Sequence, residues 1–447
     1  MGGSRLLTRG GSGKIATWDV SSSEDTPRPR TVPPLGKGRK EKIRTKDSVA
    51  KPLTPPTLYT RADFESVLRQ VYLYSERQDY RGHDKHDALN SPIVWGLYGF
   101  AKWPRILATQ LVMRSPVDLR QLLRVPRVYN PKGLALFAQG LLDWYRVDRD
   151  PRHLEQADHL LHLLDGLRAK GRWHGHCWGY QYPWQDLGFF APRGTPNAVV
   201  TSFVAEAFLD AFVVTGERRY LETVAKIFAF YERDLQILKD TEDELCLSYM
   251  PLPMTMRVMD VSILIGSVLA RYSALTQDDR WLPTAQRLVG YVVHRQTEQG
   301  AWFYTDPPGD SPIRHDNYHT GFILDALWRY MVAVDEWEWE ANYRLGLHFY
   351  ASHHFTREGA PCWMSDVEYP YDIHGAAQGI LTFSRHRAEY PGLAERIASW
   401  AIREMYHFDG RFFYQKTRFG TKRFCFLRWC NGWMARALAR LLLESKP

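Results

Sequence analysis

NAVVTSFVAEAFLDAFVVTGERRYLETVAKIFAFYERDL, residues 197–235, holds two helices of different character joined by a short turn. From Val199 to Val214 nearly every residue is apolar or small, with Glu206 and Asp210 as the exceptions, so that helix is covered on all sides. Gly216 and Glu217 end it. From Tyr220 to Leu235, Leu221, Val224, Ile227 and Phe228 line one face while Glu222, Lys226, Glu232 and Arg233 line the other, the pattern of a helix with one wet side. The first helix is therefore inner and the second outer.

The same unit recurs along the chain. Pairs of helices are predicted over 133–147 and 153–170, 261–276 and 281–295, 319–334 and 339–354, and 374–387 and 393–406, each pair followed by a long loop rich in glycine and aromatic residues. Comparable helix starts at Asn197, Asp260, Tyr318, His374 and Asn431 lie 63, 58, 56 and 57 residues apart. Two helices are left over. One, over 61–76, carries the stripe Phe64, Val67, Val71; the other, over 432–443, ends the chain. Pairing these two as a sixth hairpin closes a ring, so the sequence predicts an all-α (α/α)6 toroid over 58–447 in which neither end needs a capping repeat.

Residues 1–57 differ in kind. Gly, Ser, Pro and Lys/Arg dominate, including Arg28, Arg30, Lys37, Arg39, Lys40, Lys42, Arg44 and Lys46, and this segment holds much of the chain's net charge of +8. It is expected to be a disordered basic tail, since it has too little apolar surface to offset the entropy of ordering. No aromatic residues interleave with its cations in the way RNA binding uses, so no nucleic acid partner is expected. Five cysteines in 447 residues suggest free thiols in a reducing compartment, and a cytoplasmic location is expected. No signal peptide or stable membrane insertion is expected.

Several blocks carry a family likeness. The turn from Thr215 to Leu221 and the segment Gly300-Ala301-Trp302-Phe303-Tyr304 resemble the six-hairpin glycosidase superfamily of (α/α)6 toroids. Cys177-Trp178-Gly179-Tyr180 with Thr195-Pro196-Asn197, the block from Asp316 to Phe322, and His374-Gly375-Ala376-Ala377-Gln378-Gly379 look like bacterial exopolysaccharide and capsule biosynthesis proteins. The superfamily includes glycoside hydrolases, sugar epimerases, polysaccharide lyases and glucuronyl C5-epimerases, so the resemblance implies a glycan substrate without choosing a reaction.

In such a ring the long loops enter the N-termini of the inner helices, whose dipoles converge on one mouth that favours a carboxylate or phosphate. A sugar cleft needs flat aromatic faces for the C–H side of the ring and polar groups for its hydroxyls. The loops supply both. Expected substrate-binding residues are Trp178, Tyr180, Trp184, Asp186, Arg193, Asn197, Asp260, Tyr304, Arg314, Asn317, Trp363, Tyr371, Trp429 and Asn431; candidate catalytic groups are His315, Asp316, Tyr318, His319, Asp372 and His374. The competing reading is that the Asp and Asn residues cap helices and the rings plug the toroid.

Two reactions stay open, together with a non-catalytic glycan-binding or scaffold role. Proton abstraction beside a uronate uses a His or Tyr base near Arg193, Arg257 or Arg314. Hydrolysis uses two carboxyl groups among Asp186, Asp260, Asp316 and Asp372. His174 and His176 are spaced as zinc ligands, but the remaining ligand spacing is not reproduced, so no metal and no cofactor is expected. No Gly-rich phosphate loop is present. Nothing in the sequence fixes the oligomeric state.

Overall fold

A computed structural model describes residues 58–186 and 188–445; the basic segment 1–57 lies outside them. The helices, in chain order, are α1 Arg61–Arg77, α2 Pro92–Tyr98, α3 Lys102–Arg114, α4 Pro131–Asp148, α5 Pro151–Gly166, α6 Ala198–Thr215, α7 Arg218–Ala225 and α8 Phe228–Arg233, followed by α9 Met259–Thr276, α10 Leu282–Val293, α11 Asn317–Val334, α12 Glu340–His353, α13 Ile373–Arg385, α14 Leu393–Met405 and α15 Trp433–Glu444. Six are inner: α4, α6, α9, α11, α13 and α15. Each packs on the next, and α15 returns to α4, so the ring is closed.

The ends meet as the repeat predicts. Helix α1 is the outer partner of α15: Arg61 Nη1 donates to the Leu442 carbonyl at 2.6 Å, and the Tyr72 hydroxyl donates to the Phe137 carbonyl of α4 at 2.9 Å. Inner helix α6 is long and apolar enough to cross a bilayer by composition, yet it is mostly buried within the ring.

One predicted outer helix, over 220–235, is broken into α7 and α8. The loop through Gly175 presses into it: the His176 amide donates to the Lys226 carbonyl at 2.8 Å, and a Cβ at Gly175 would stand 2.5 Å from the Phe230 nitrogen. The region between α1 and α4, where the sequence analysis assigned no helix, holds α2 and α3.

Short extended pairings steer the loops into the inner helices. Val128–Tyr129 pairs with Arg81–Gly82 ahead of α4, Arg257–Val258 with Thr305–Asp306 ahead of α9, and Tyr371–Asp372 with Gln415–Thr417 ahead of α13. Single bridges, Pro196 to Gly179 and Asp316 to Met364, do the same for α6 and α11.

Away from the loops, buried ion pairs knit the inner helices together. Arg440 of α15 grips Asp143 of α4 through two bonds of 2.9 and 3.0 Å; Gln139 of α4 donates to Asp210 of α6 at 2.6 Å; Arg271 of α9 bonds both Asp210 and Glu206; and Arg385 of α13 holds Asp325 of α11 at 2.8 Å. Removing one partner of such a pair leaves a charge without compensation. Arg440→Ala should therefore cost about 3–5 kcal/mol in chemical denaturation, while the double change Asp143→Leu with Arg440→Met should recover most of that loss. A stability loss in the double variant equal to that of Arg440→Ala would show that packing, not the buried charge, holds the seam.

Candidate active site

The N-terminal ends of the inner helices meet at one mouth. Lys132, in the first turn of α4, lies 3.8 Å from the ring centre of Phe203 in α6, 4.6 Å from that of Phe322 in α11 and 5.3 Å from that of Trp433 in α15. Three further inner helices thus close on the Nζ of Lys132. Lys132 is buried and has no ion pair on its Nζ among the described residues; burial, reinforced by Arg428, drives its pKa well below the ordinary lysine range, against the pull of Asp260 and Asp84.

Around it stand the titratable groups of α9, α11 and α13. Asp316, at the N-cap position of α11, accepts from His319 Nδ1 at 2.8 Å through Oδ2, while its buried Oδ1 has no partner. That bond leaves His319 Nε2 as the basic nitrogen. The His319 ring lies 4.5 Å from those of Tyr304 and Tyr318. Tyr318 stacks flat on His374 at 4.4 Å, and both ring nitrogens of His374 are buried without partners. Burial, with Lys132 and Arg428 nearby, keeps His374 neutral by pushing its pKa well down. Asp260 Oδ1 is likewise unpartnered, and burial raises its carboxyl pKa against the pull of His319 and Lys132. Unmet buried polar atoms are costly; four of them in one cleft are what a ligand would satisfy.

The walls are aromatic, with Lys85 and Arg428 set among the rings. Tyr180 stacks on Tyr182 at 5.2 Å and meets Trp184 edge-on at 5.8 Å; Trp184 in turn meets His86 and Tyr249. Lys85 Nζ sits 4.6 Å from Trp429 and 6.0 Å from Trp363. Arg428 locks onto Asp84 through two bonds of 2.6 Å. Exposed Asp186 lies within electrostatic reach of Tyr304.

Other predicted residues are committed elsewhere. His315 and Asp316 are neighbours on an extended stretch, where successive side chains point opposite ways; His315 turns to Phe303, Ser365 and Phe349 of the outer helix α12. Asn317 faces the same way, donating to the His354 carbonyl and accepting from Tyr350. Tyr371 bonds Glu368 and packs on Trp400 of outer helix α14, opposite Asp372. Asp372 itself is saturated: Oδ1 caps α13 at the His374 amide and takes Trp429 Nε1 at 2.7 Å, and Oδ2 takes Gln415 at 2.8 Å. These bonds hold Trp429 in place. Trp178 is core, its Nε1 on the Leu164 carbonyl; Asn431 is held by Gly410 and Phe412; Asn197 caps α6 at Val200, with Nδ2 still unpaired.

The arginines expected beside a uronate are also engaged: Arg193 with Asn90, Arg257 with the Asp306 carbonyl, and Arg314 with Asp366. Lys85, Lys132 and Arg428 occupy the cleft instead. The run His83-Asp84-Lys85-His86-Asp87 is as dense in titratable groups as 315–319, and that density was the available signal for Lys85 and Asp84. His174 bonds Asp234 and His176 lies against Arg168, so the two do not converge on a metal; among the described residues, no group of three or more His, Cys, Asp or Glu side chains is arranged to hold one.

The sequence matches no protein-family model and no curated protein. Solved structures do match. Cellobiose 2-epimerase from Bacillus thermoamylovorans aligns at a TM-score of 0.60 and 10% identity over 86% of this chain and 98% of that one. A polysaccharide lyase aligns at 0.54 and 12% over 87% and 99%, and a family 76 glycoside hydrolase, a mannosidase from Bacteroides thetaiotaomicron, at 0.56 and 10% over 85% and 98%. At these identities the likeness is one of fold: the chain has the all-α toroid of six-hairpin glycosidase-like enzymes.

Two outcomes follow for this region. Lys132→Met keeps the side-chain volume and relieves the buried amine, so it should raise the melting temperature; a drop of several degrees would mean that Lys132 is structural. His354, fully buried with both ring nitrogens unpaired, has its pKa pushed down to about 3 by burial. The unfolded chain takes up that proton near pH 6.5 and the folded one does not, so this histidine removes stability as pH falls below 6.5, by about 1.4 kcal/mol per pH unit. Between pH 7 and 5, His354→Gln should flatten the loss of stability seen in the parent; parallel curves would refute the assignment.

Proposed function

We propose that this chain is a carbohydrate-active enzyme that binds an anionic, uronate-bearing glycan and moves a proton at the carbon beside the carboxylate, as an epimerase or lyase does. The observation that carries the reading is the Asp316–His319 pair, with His319 Nε2 left basic, set beside Tyr304 in a cleft that also holds Lys85, Lys132 and Arg428.

Such a cleft suits the chemistry in three respects. The cations and the helix N-termini attract a carboxylate, and an anion bound beside Lys132 restores the proton that burial disfavours. When His319 takes the C5 proton, the electron pair spreads onto the carboxylate and the same cations stabilise it. Burial raises the Tyr304 and Tyr318 hydroxyls well above the ordinary phenol range, so each stays protonated and able to return a proton to C5 or to the departing oxygen at C4. The first outcome is epimerisation, the second β-elimination.

The motif resemblance to exopolysaccharide and capsule proteins supports a polysaccharide or its repeat unit as substrate, and five unpaired cysteines support a reducing, cytoplasmic setting. A second reading, hydrolysis, draws on Asp260: a carboxyl group whose pKa burial raises, with the Asp316 carboxyl nearby, is the kind of pair a glycosidase uses as acid and base.

The purified protein, incubated in deuterated water with glucuronate- and mannuronate-containing glycans, should place deuterium at C5 without chain cleavage, or give an unsaturated non-reducing end. Either product should fall at least a hundredfold in His319→Ala and in Lys132→Met. New saturated reducing ends that vanish in Asp260→Asn would establish the hydrolase instead. Binding without turnover across the panel would leave a glycan-binding protein.

A further inference from the structure

The hairpin α2–α3 is built inside out. On α3 the large apolar residues Trp103, Leu107 and Leu111, spaced by four, form a stripe that faces solvent, 68%, 54% and 58% exposed, while the small residues Ala108 and Thr109 and the modest Val112 face the protein. Phe100, at the tip between the two helices, is 79% exposed. Half of the large apolar side chains exposed among the described residues fall within 93–122. Leu97, Phe100, Trp103 and Leu107 line an open apolar groove of about 590 Å³. The patch is not loose chain: Arg105 Nε donates to Gln185 at 2.8 Å, and Trp95 stacks on Phe190 at 6.0 Å, which fixes the hairpin to the loop that carries Trp184.

Charge says what the face is built to meet. Residues 88–117 contain no Asp or Glu, and the single acid between 88 and 130 is Asp118, already bonded to Arg120. Lys102 and Arg114, at the two ends of α3, are exposed, as are Arg124 and Arg127 in the stretch that follows it. Next to them, Arg81, Arg127, Arg411 and Arg423 line one cleft of about 260 Å³ together with Asp118, Arg81 being paired with Asp79 and Arg411 with Asp409, and Lys422 ties that side to the end of α3 through the Met113 and Arg114 carbonyls at 3.4 and 3.3 Å. Tryptophan, Phe and Leu protruding among Lys and Arg is the composition of an interfacial membrane-binding element. A second copy of this chain seated face to face would bring the exposed Lys102, Arg114 and Arg124 against their counterparts.

We propose that the α2–α3 hairpin docks the protein on an anionic lipid bilayer, with Phe100, Trp103 and Leu107 entering the headgroup boundary and the arginines meeting lipid phosphates. Because the hairpin is fixed to the Trp184 loop, docking sets the rim of the cleft at the membrane. This holds whatever reaction the cleft performs.

The full-length protein is spun with vesicles of mixed phosphatidylglycerol and phosphatidylcholine, and with vesicles of phosphatidylcholine alone. It should sediment with the anionic vesicles at least tenfold better and lose part of that binding as salt rises. The triple variant F100S/W103S/L107S should lose tenfold or more of the binding with an unchanged melting temperature, since its targets are exposed; the single variant F100S provides the same reading, severalfold weaker, if the triple fails to fold. Absence of vesicle binding, or binding undiminished in both variants, would overturn the proposal, the latter assigning the attraction to other basic residues such as those of 1–57. Concentration-dependent dimerisation abolished by the same substitutions, without lipid binding, would assign the face to a second copy.

Discussion

Six inner helices point the same way, and that alignment is the constraint on which the rest of the molecule is built. Parallel dipoles side by side repel, gathering positive ends at the mouth and negative ends opposite. The sequence answers with charge of the matching sign: Asp260, Asp316 and Asp372 stand at the starts of α9, α11 and α13, while Arg271, Arg329, Arg385 and Arg440 lie towards the ends of α9, α11, α13 and α15. Paired with acids of the neighbouring inner helices, as Arg385 is with Asp325 and Arg271 with Asp210, these arginines cross-link the ring.

At the mouth the compensation is incomplete, and this separates site from scaffold. Asp372 has a donor for each oxygen and serves as a strut. Asp260 and Asp316 each keep an oxygen with no donor, beside a histidine with two idle nitrogens and a lysine held only by rings. A folded core without a ligand gains nothing from such groups. Their concentration where the helix dipoles also favour an anion is what makes this cleft the candidate site.

The fold was legible because each unit writes its position twice, in a near-constant period and in the contrast between an all-apolar inner helix and a one-sided outer one. The candidate cleft was legible only where the repeat carries it. Asp316, Tyr318, His319 and His374 sit at the helix starts that the period picks out. Side-chain direction was not legible: on the extended stretches before α11 and α13, one residue's step decides whether a group faces the mouth or an outer helix, and His315 and Tyr371 fall on the wrong side. Lys85 and Asp84 escaped because they come from the one segment outside the repeat, and Lys132 because a lone lysine opening an apolar helix reads as a wet end.

The seam of the ring and the candidate site are one construction. Arg428, just before α15, reaches Asp84, just after α1, across 344 residues of sequence, and at the far end of the same seam Arg440 reaches Asp143 across 297. Lys132 lies on one flank of that seam and Trp433 on the other, 5.3 Å apart. Loop-closure entropy over such separations is recovered only when both ends of the chain are in place. Closing the ring is thus the step that brings Lys132 against Trp433 and fixes Arg428 beside the tyrosines of the cleft. The cations of the candidate cleft come from both sides of the seam rather than from a single hairpin, so the cleft is complete only in the fully closed chain.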